Sequence, residues 1–329
     1  MSETQPENAA VVGKGSVAAQ TQFLASDISI AIPTYGRDEV LVDTVRSCLD
    51  QAESAGEVII VDQTPVHSCD VERTLTAWHE SGQIRWERLK KPSVPAAMNR
   101  ALEIASSPLV LFLDDDIIPS PGFIAAHAAA HCRDDAWIVV GQIIQPGQEP
   151  TDIVSTPSKD GVLEADFDFP MHSTRQSFIR NVMAGHMSVR RDLAIMIGGF
   201  DENFVGAAYR FETEFGRRDL RAGGQILFEP AASIRHLRAT RGGTRIHGNH
   251  LASASPNHGV GDYYFALLHG YRLDVAWYCA RRMVREVCTK FHLKHPWYIP
   301  VKLVGEMRAF VWACQLVQKG PALLGTDRK

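Results

Sequence analysis

Close pairs of cysteine are missing from this 329-residue chain: Cys48, Cys69, Cys132, Cys279, Cys288 and Cys314 are scattered, with no C-x-x-C among them. That spacing suggests neither a zinc site nor a disulfide framework, and the six are expected as reduced, mostly buried thiols of a cytoplasmic protein. An excess of positive charge is missing too. With 34 Lys and Arg against 38 Asp and Glu the formal net charge is −4, which argues against general nucleic-acid binding without excluding a local basic patch. No stretch reaches the roughly 18 consecutive apolar residues of a membrane span. The nearest, Ile299 to Val317, carries Lys302, Glu306 and Arg308 and reads as a packed or interfacial amphipathic helix. Residues 1–26 lack the basic start and apolar core of a signal peptide and read as a loose tail. No internal repeat is visible.

What is present is an ordinary core-forming composition, 45% hydrophobic and 22% charged, in a chain long enough for one large α/β domain plus an appendage. Ile28 to Ile32 is a short unbroken apolar run that suits a buried strand of a parallel sheet. A helical pattern follows from Asp38 to Gln51, then a second buried strand from Glu57 to Val61, a helix over 71–80 and a short strand over 84–88. Pro95 opens a helix reaching Ala105, since proline is tolerated in a first turn. Leu109 to Leu113 is a third buried strand. This alternation predicts βαβ units and a doubly wound, mainly parallel sheet flanked by helices. Ligands of such sheets bind beyond the carboxyl ends of the strands. Three strands here end in polar residues: Thr34-Tyr35, Asp62, and Asp114-Asp115-Asp116.

Further along, strands are expected over 137–144, 182–189, 225–228 and 233–236, with helices ending at Ile197 and covering 211–222. Residues 147–176 read as a polar loop region, and 238–261 as an Arg-, Gly- and His-rich loop. Beyond 262 the pattern is helical, with Pro296 and Pro300 as interruptions.

The aspartate triplet carries the strongest chemical signal. Three adjacent carboxylates repel one another and gain most when a cation is shared. Hard divalent ions such as Mg²⁺ or Mn²⁺ take oxygen ligands and bridge carboxylates to phosphates. The bland alternative is a solvated acidic loop before Pro119 and Pro121.

Several segments together resemble family 2 glycosyltransferases of the GT-A fold. They are ISIAIPTYGRDEVLVDTVRSCLDQ, VIIVDQT, PAAMNRALEIASSPLVLFLDDDIIPSPGF, GGFDENF and FETEFGRRDLRAGGQILFEPAASIRH, in that order over residues 27–237. The resemblance implies a catalytic domain over 27–237, divided at 116 into nucleotide-binding and acceptor halves, followed by the 238–261 loop and a helical appendage over 262–329. It implies that Pro33, Thr34, Tyr35, Arg37, Asp62, Asn99, Asp114 and Asp115 attend the nucleotide. It also implies that Asp116 and His236 hold the metal, and that Gly199, Phe200 and Asp201 form an acceptor-side turn.

The general base is expected from Glu212 or Glu214. Relatives place an acidic pair where this chain has Phe211-Glu212, so a glutamate stands for the usual aspartate and a phenylalanine for the usual glutamate. Met98 replaces an arginine common in relatives and is given no phosphate role, and Arg100 is as readily a surface residue. His186 stands where relatives often carry asparagine. The implied reaction is metal-dependent, inverting transfer from a nucleotide sugar, UDP preferred, to an acceptor hydroxyl of a glycan or a lipid-linked molecule. Arg238, Arg241 and Arg245 suit a loop over the pyrophosphate or near a membrane. Basic and aromatic residues beyond 277 suit peripheral contact with the inner face of a membrane. Two other readings stand beside this one: a catalytically impaired binding protein of the same fold, motivated by the Phe211 and Glu212 departures, and a nucleotidyltransferase. The second lacks its customary Gly- and Lys-rich loop, since PTYGR stands there.

Overall fold

The computed structural model describes residues 22–133, 135–154, 163, 169–239, 241–243 and 250–325. Its first half is a run of βαβ units: β1 (Ile28–Thr34), α1 (Glu39–Leu49), β2 (Glu57–Asp62), α2 (Cys69–Glu80), β3 (Arg85–Arg88), α3 (Val94–Ile104) and β4 (Leu109–Leu113). The apolar runs become strands because both faces of the sheet are covered. Every residue of β4 is buried, as is all of β1 except Pro33. Ser93 caps α3, its hydroxyl accepting from the Ala96 N–H at 3.4 Å, and Pro95 sits in the first turn, where no helical hydrogen bond is lost.

The second half contributes β5 (Ile117–Pro119), α4 (Phe123–Arg133), β6 (Ile138–Ile144), β7 (Ser177–Ile179), β8 (His186–Arg190), α5 (Arg191–Met196), α6 (Phe211–Arg221) and β9 (Ile226–His236). Among the described residues these nine strands form one sheet ordered β3-β2-β1-β4-β8-β6-β9-β5, with β7 also on β9. Strands β3, β2, β1 and β4 are parallel, β8 runs antiparallel between β4 and β6, and β6 and β9 are parallel. The expected doubly wound sheet is therefore parallel through its first half and mixed beyond β4.

Three local differences have simple causes. The two strands expected over 225–236 are one strand, β9, because its register against β6 shifts between Gly141 and Gln142 and absorbs the extra residues around Pro230. The strand expected over 182–189 begins only at His186, since the 182–185 segment turns to carry the Asp114–Gly185 contact. Pro300 does not interrupt the chain. It lies in the first turn of α10 (Tyr298–Lys319), where its missing N–H is harmless.

Helices α7 (Val260–His269), α8 (Arg272–Val287), α9 (Lys290–Lys294) and α10 complete the described chain. Among the described residues no helix is long and apolar enough to cross a membrane. Residues 22–26 are not loose: the Phe23 N–H meets the Cys132 sulfur at 2.8 Å, and its ring lies edge-on to His131. Of the six free thiols, Cys48 and Cys279 are buried while Cys69 and Cys288 are exposed, so the expectation of mostly buried cysteines is not met.

Candidate active site

A cleft of about 310 Å³ opens at the carboxyl ends of β1 and β4. Pro33, Thr34, Tyr35 and Arg37 line one side, Asp114, Asp115 and Asp116 the floor, and Glu212 and His236 the far side. The chain reaches it as the parallel sheet dictates, with polar residues following each buried strand.

The triplet divides its labour. Asp115 is buried, its carboxylate taking the Thr34 hydroxyl at 2.7 Å and the Arg37 guanidinium at 3.2 Å. Burial pushes its pKa up to about 7, against the opposing pull of Arg37 and Thr34. Asp114, Asp116 and His236 converge instead, each offering a ligand atom within 4.8 Å of the others. His236 Nε2 lies 3.2 Å from Asp116 and 3.6 Å from Asp114. Burial of Asp116 works to raise its pKa, but hydrogen bonds from His236 and from the Ala239 N–H outweigh it and hold the carboxyl below the usual range. Two carboxylates and one imidazole suit Mg²⁺ or Mn²⁺, and buried His236 Nδ1 has no hydrogen-bond partner among the described residues. Beside the expected metal pair, Asp116 and His236, the cluster includes Asp114, which the resemblance had placed with the nucleotide.

Gly185 makes room for this arrangement. Its carbonyl accepts the Asp114 N–H at 2.9 Å, and a Cβ there would fall 2.2 Å from an Asp114 carboxylate oxygen. Arg37 also holds the segment after β9. Its guanidinium donates to the carbonyls of Ala239, at 3.0 Å, and Arg241. Gly243 N–H reaches the Tyr35 carbonyl at 2.7 Å, and a Cβ on Gly242 would strike the Gly36 carbonyl. The beginning of the Arg-Gly loop is therefore seated over the turn of Tyr35, Gly36 and Arg37. Arg238 reaches away to Gln145 at 2.9 Å, and Arg245 lies outside the described residues.

Four expected residues are spent elsewhere. Asp62 is buried; His67 Nε2 at 2.8 Å and the Trp86 indole N–H at 3.0 Å occupy one oxygen, and the Thr64 N–H at 2.8 Å the other. Gln63, its neighbour, lines the cleft instead. Asn99 faces away from the cleft, bonding the Phe200 backbone at both its N–H and carbonyl. Phe200 is wholly buried, stacked on Phe215 at 4.3 Å. Asp201 is equally buried, capping Asn203 and Ala322 and accepting from Tyr264. The Gly199-Phe200-Asp201 turn thus anchors the residues after α10, and these three residues do not line the cleft. His186 is buried as well, in a chain with His127, Ser188 and His131 on the other side of the sheet. Arg100 pairs with Glu87 at 2.8 Å, as a surface residue would. Met98 is buried in the core, its side touching the cleft wall.

The two glutamates separate. Glu212 lines the cleft, whereas Glu214 is buried and clasped by Arg218 at 2.6 and 2.7 Å. Arg210, in the left-handed region at φ 73°, delivers the chain into α6 with Phe211 inserted in the core. Residues the sequence reading missed are Gly185, His67, Trp86 and Gln63. Of these only Gln63 stood in a quoted motif, VIIVDQT.

This parallel-then-mixed sheet, with an acidic cluster at the carboxyl end of its fourth strand, is the GT-A fold. The sequence profile of glycosyl transferase family 2 matches residues 29–197, and the chain belongs to that family. Against proteins of curated function the sequence has no significant match. Among solved structures it is similar to GalNAc-T7 with UDP, GalNAc and Mn²⁺, at TM-score 0.60 and 14% identity over 90% of this chain and 57% of that one. TarS 1–349 of S. aureus with UDP-GlcNAc aligns at 0.57 and 14%, covering 87% and 79% of the two chains. Mannosyltransferase PcManGT of Pyrobaculum calidifontis with GDP-Man and Mn²⁺ aligns at 0.50 and 15%, covering 93% and 83%. At such identities the likeness is one of fold.

Proposed function

We propose that the protein moves a glycosyl group from a nucleoside diphosphate sugar, UDP being preferred, to an acceptor hydroxyl of a glycan or lipid-linked molecule, with inversion. One observation carries this reading: the Asp114–Asp116–His236 cluster and the Glu212 carboxylate line the same cleft. Residues 27–237 are assigned to catalysis.

Asp114, Asp116 and His236 would hold Mg²⁺ or Mn²⁺, which when bound neutralises charge on the departing diphosphate. Pro33, Thr34 and Tyr35 border the nucleoside side of the cleft. Arg37, braced by Asp115 and Asp116, supplies fixed positive charge near the phosphates. Glu212 accepts the proton of the attacking hydroxyl, which a weak nucleophile needs as its bond to the anomeric carbon forms. Glu212 in the cleft also weakens the case for an impaired binding protein, since Phe211 has withdrawn into the core without taking Glu212 with it.

The test is calorimetric titration of UDP, dTDP and GDP, with and without Mn²⁺, into wild type and Asp116→Ala. Binding of one nucleotide that needs both Mn²⁺ and Asp116 supports the reading and narrows the donors to be assayed for turnover. Absence of binding under every condition would sink it.

A further inference from the structure

The helices after residue 259 put charge inside, between α7, α8 and α10, and apolar side chains outside, on α8, α9 and α10. The seam where α7, α8 and α10 meet is built on Asp262, Arg282, Lys302 and Glu306, all buried. Arg282 pairs with Asp262 and, at 3.0 Å, with Glu306. Lys302 closes the network on Glu306 at 2.9 Å and Glu286 at 3.3 Å. Tyr263 and Tyr278 donate to Glu306 and Asp262, leaving these carboxylates well supplied with donors.

The outward faces are the reverse. On α8, Leu273 is 85% exposed and Trp277 70%, with Val284 continuing the stripe at helical spacing. On α9 and at the start of α10, Leu293 is 80% and Trp297 64% exposed. Val304, Met307 and Val311 carry the exposed stripe along α10. Scattered apolar residues on a surface need no explanation, but stripes containing two tryptophans on adjoining helices do.

The charge interleaved with them has one sign. Residues 271–319 hold nine Lys and Arg against three Asp and Glu, in a chain whose net charge is −4. Arg272, Arg281, Arg285, Lys290, Lys294 and Arg308 are exposed, while Glu286 and Glu306 are turned into the seam and Asp274 is the exposed acid of this stretch. Tryptophan and leucine beside long cations match the boundary of an anionic bilayer, where rings sit at headgroup depth and cations meet lipid phosphate.

We propose that the outer faces of α8, α9 and α10 form a docking surface for an anionic lipid bilayer, lying on the membrane without crossing it. This rests on the helical region alone and stands whether or not the cleft binds a nucleotide sugar. Charge complementarity selects the occupant: a second copy of this face would set like charges against one another.

The test is co-sedimentation of the full chain with vesicles of phosphatidylcholine alone or with about 30 mol% phosphatidylglycerol. At about 0.1 M salt, partitioning is expected to be at least about tenfold stronger to the anionic vesicles and to fall most of the way to the phosphatidylcholine level at about 0.5 M. Trp277→Ser with Leu293→Ser and Trp297→Ser lowers it by about tenfold or more. Arg281→Glu with Lys294→Glu removes the preference for anionic lipid. All five positions are exposed, and circular dichroism melting confirms that the variants fold. Equal or absent binding to both vesicles overturns the proposal. So does an unaffected serine variant, or self-association in solution that the serine substitutions abolish without any vesicle binding.

Discussion

Glu212 and Glu214 lie two residues apart in the first turn of α6, and the helix sends them in different directions. Glu212 borders the cleft that holds the acidic cluster, while Glu214 is buried with both carboxylate oxygens on Arg218. Side chains two apart on a helix are about 200° around its axis, so one turn cannot aim both at a substrate. The pair separates a carboxylate on the cleft wall from one clasped within the helix by Arg218. Burial outweighs Arg218 in raising the Glu214 pKa, so its retention as a carboxylate depends on that arginine.

This separation predicts opposite phenotypes. Glu212→Gln is expected to lower kcat by about 10²- to 10⁴-fold with nucleotide affinity and melting temperature unchanged. Glu214→Gln is expected to destabilise the fold by about 2 kcal/mol or more, because Arg218 is left partly unpaired in a buried setting. Steady-state kinetics and urea melts of the two variants check both statements, and equal loss of kcat without loss of stability in Glu214→Gln would contradict them.

Gly185→Ala probes the cluster without touching a ligand. The new methyl would collide with Asp114, displacing its carboxylate by about 1 Å, which can cost on the order of 10²-fold in rate. Mn²⁺-dependent nucleotide affinity should weaken as well, read by the same calorimetry. An alanine variant with wild-type affinity and rate would show that Asp114 has no part in the site.

Acid sensitivity should come from the buried histidine chain. Burial, the largest effect in each case, holds His131 at about 4 and His186 at about 3, and His127 well below the ordinary 6.5. The folded protein therefore binds fewer protons than the unfolded chain between these values and 6.5. Stability is full above pH 6.5 and is lost as pH falls through the window toward 4 and 3, by up to ~1.4 kcal/mol per pH unit for each histidine. Urea melts at pH 7.5, 6 and 5 would measure the slope, and a flat profile would refute the neutral buried chain.

Arg282→Met should be among the most damaging single changes outside the cleft. It leaves Asp262 and Glu306 buried and each short of one cation, at a cost of about 3–5 kcal/mol. Chemical denaturation measures it. A loss under 1 kcal/mol would mean that Lys302 on Glu306 and Arg210, 2.8 Å from Asp262, suffice to hold those carboxylates.

The first half of the fold was legible because it is local. Unbroken apolar runs such as Ile28 to Ile32 and Leu109 to Leu113, short and bounded by polar and turn residues, suit buried strands, and the sheet buries them. Helix α4 and the short strands β5 and β7 were not legible. The first has apolar residues nearly all round, and the others borrow their conformation from β9. The helical seam was invisible for another reason: Asp262, Arg282 and Glu306 are far apart in sequence and read singly as surface charges.

The sequence by itself determined the family, the parallel βαβ start, and the convergence of Thr34 and the aspartate triplet, because strand ends of one parallel sheet share one edge, while His236 was implied by the resemblance alone. Only the tertiary structure decided which of those carboxylates face one another. Asp115 went to Thr34 and Arg37, Asp114 joined Asp116 and His236, and Asp62, Asn99 and Asp201 were taken up by neighbours more than local in sequence. A polar residue at a strand end has several candidate partners. Which of them it meets depends on packing over distances that no motif encodes.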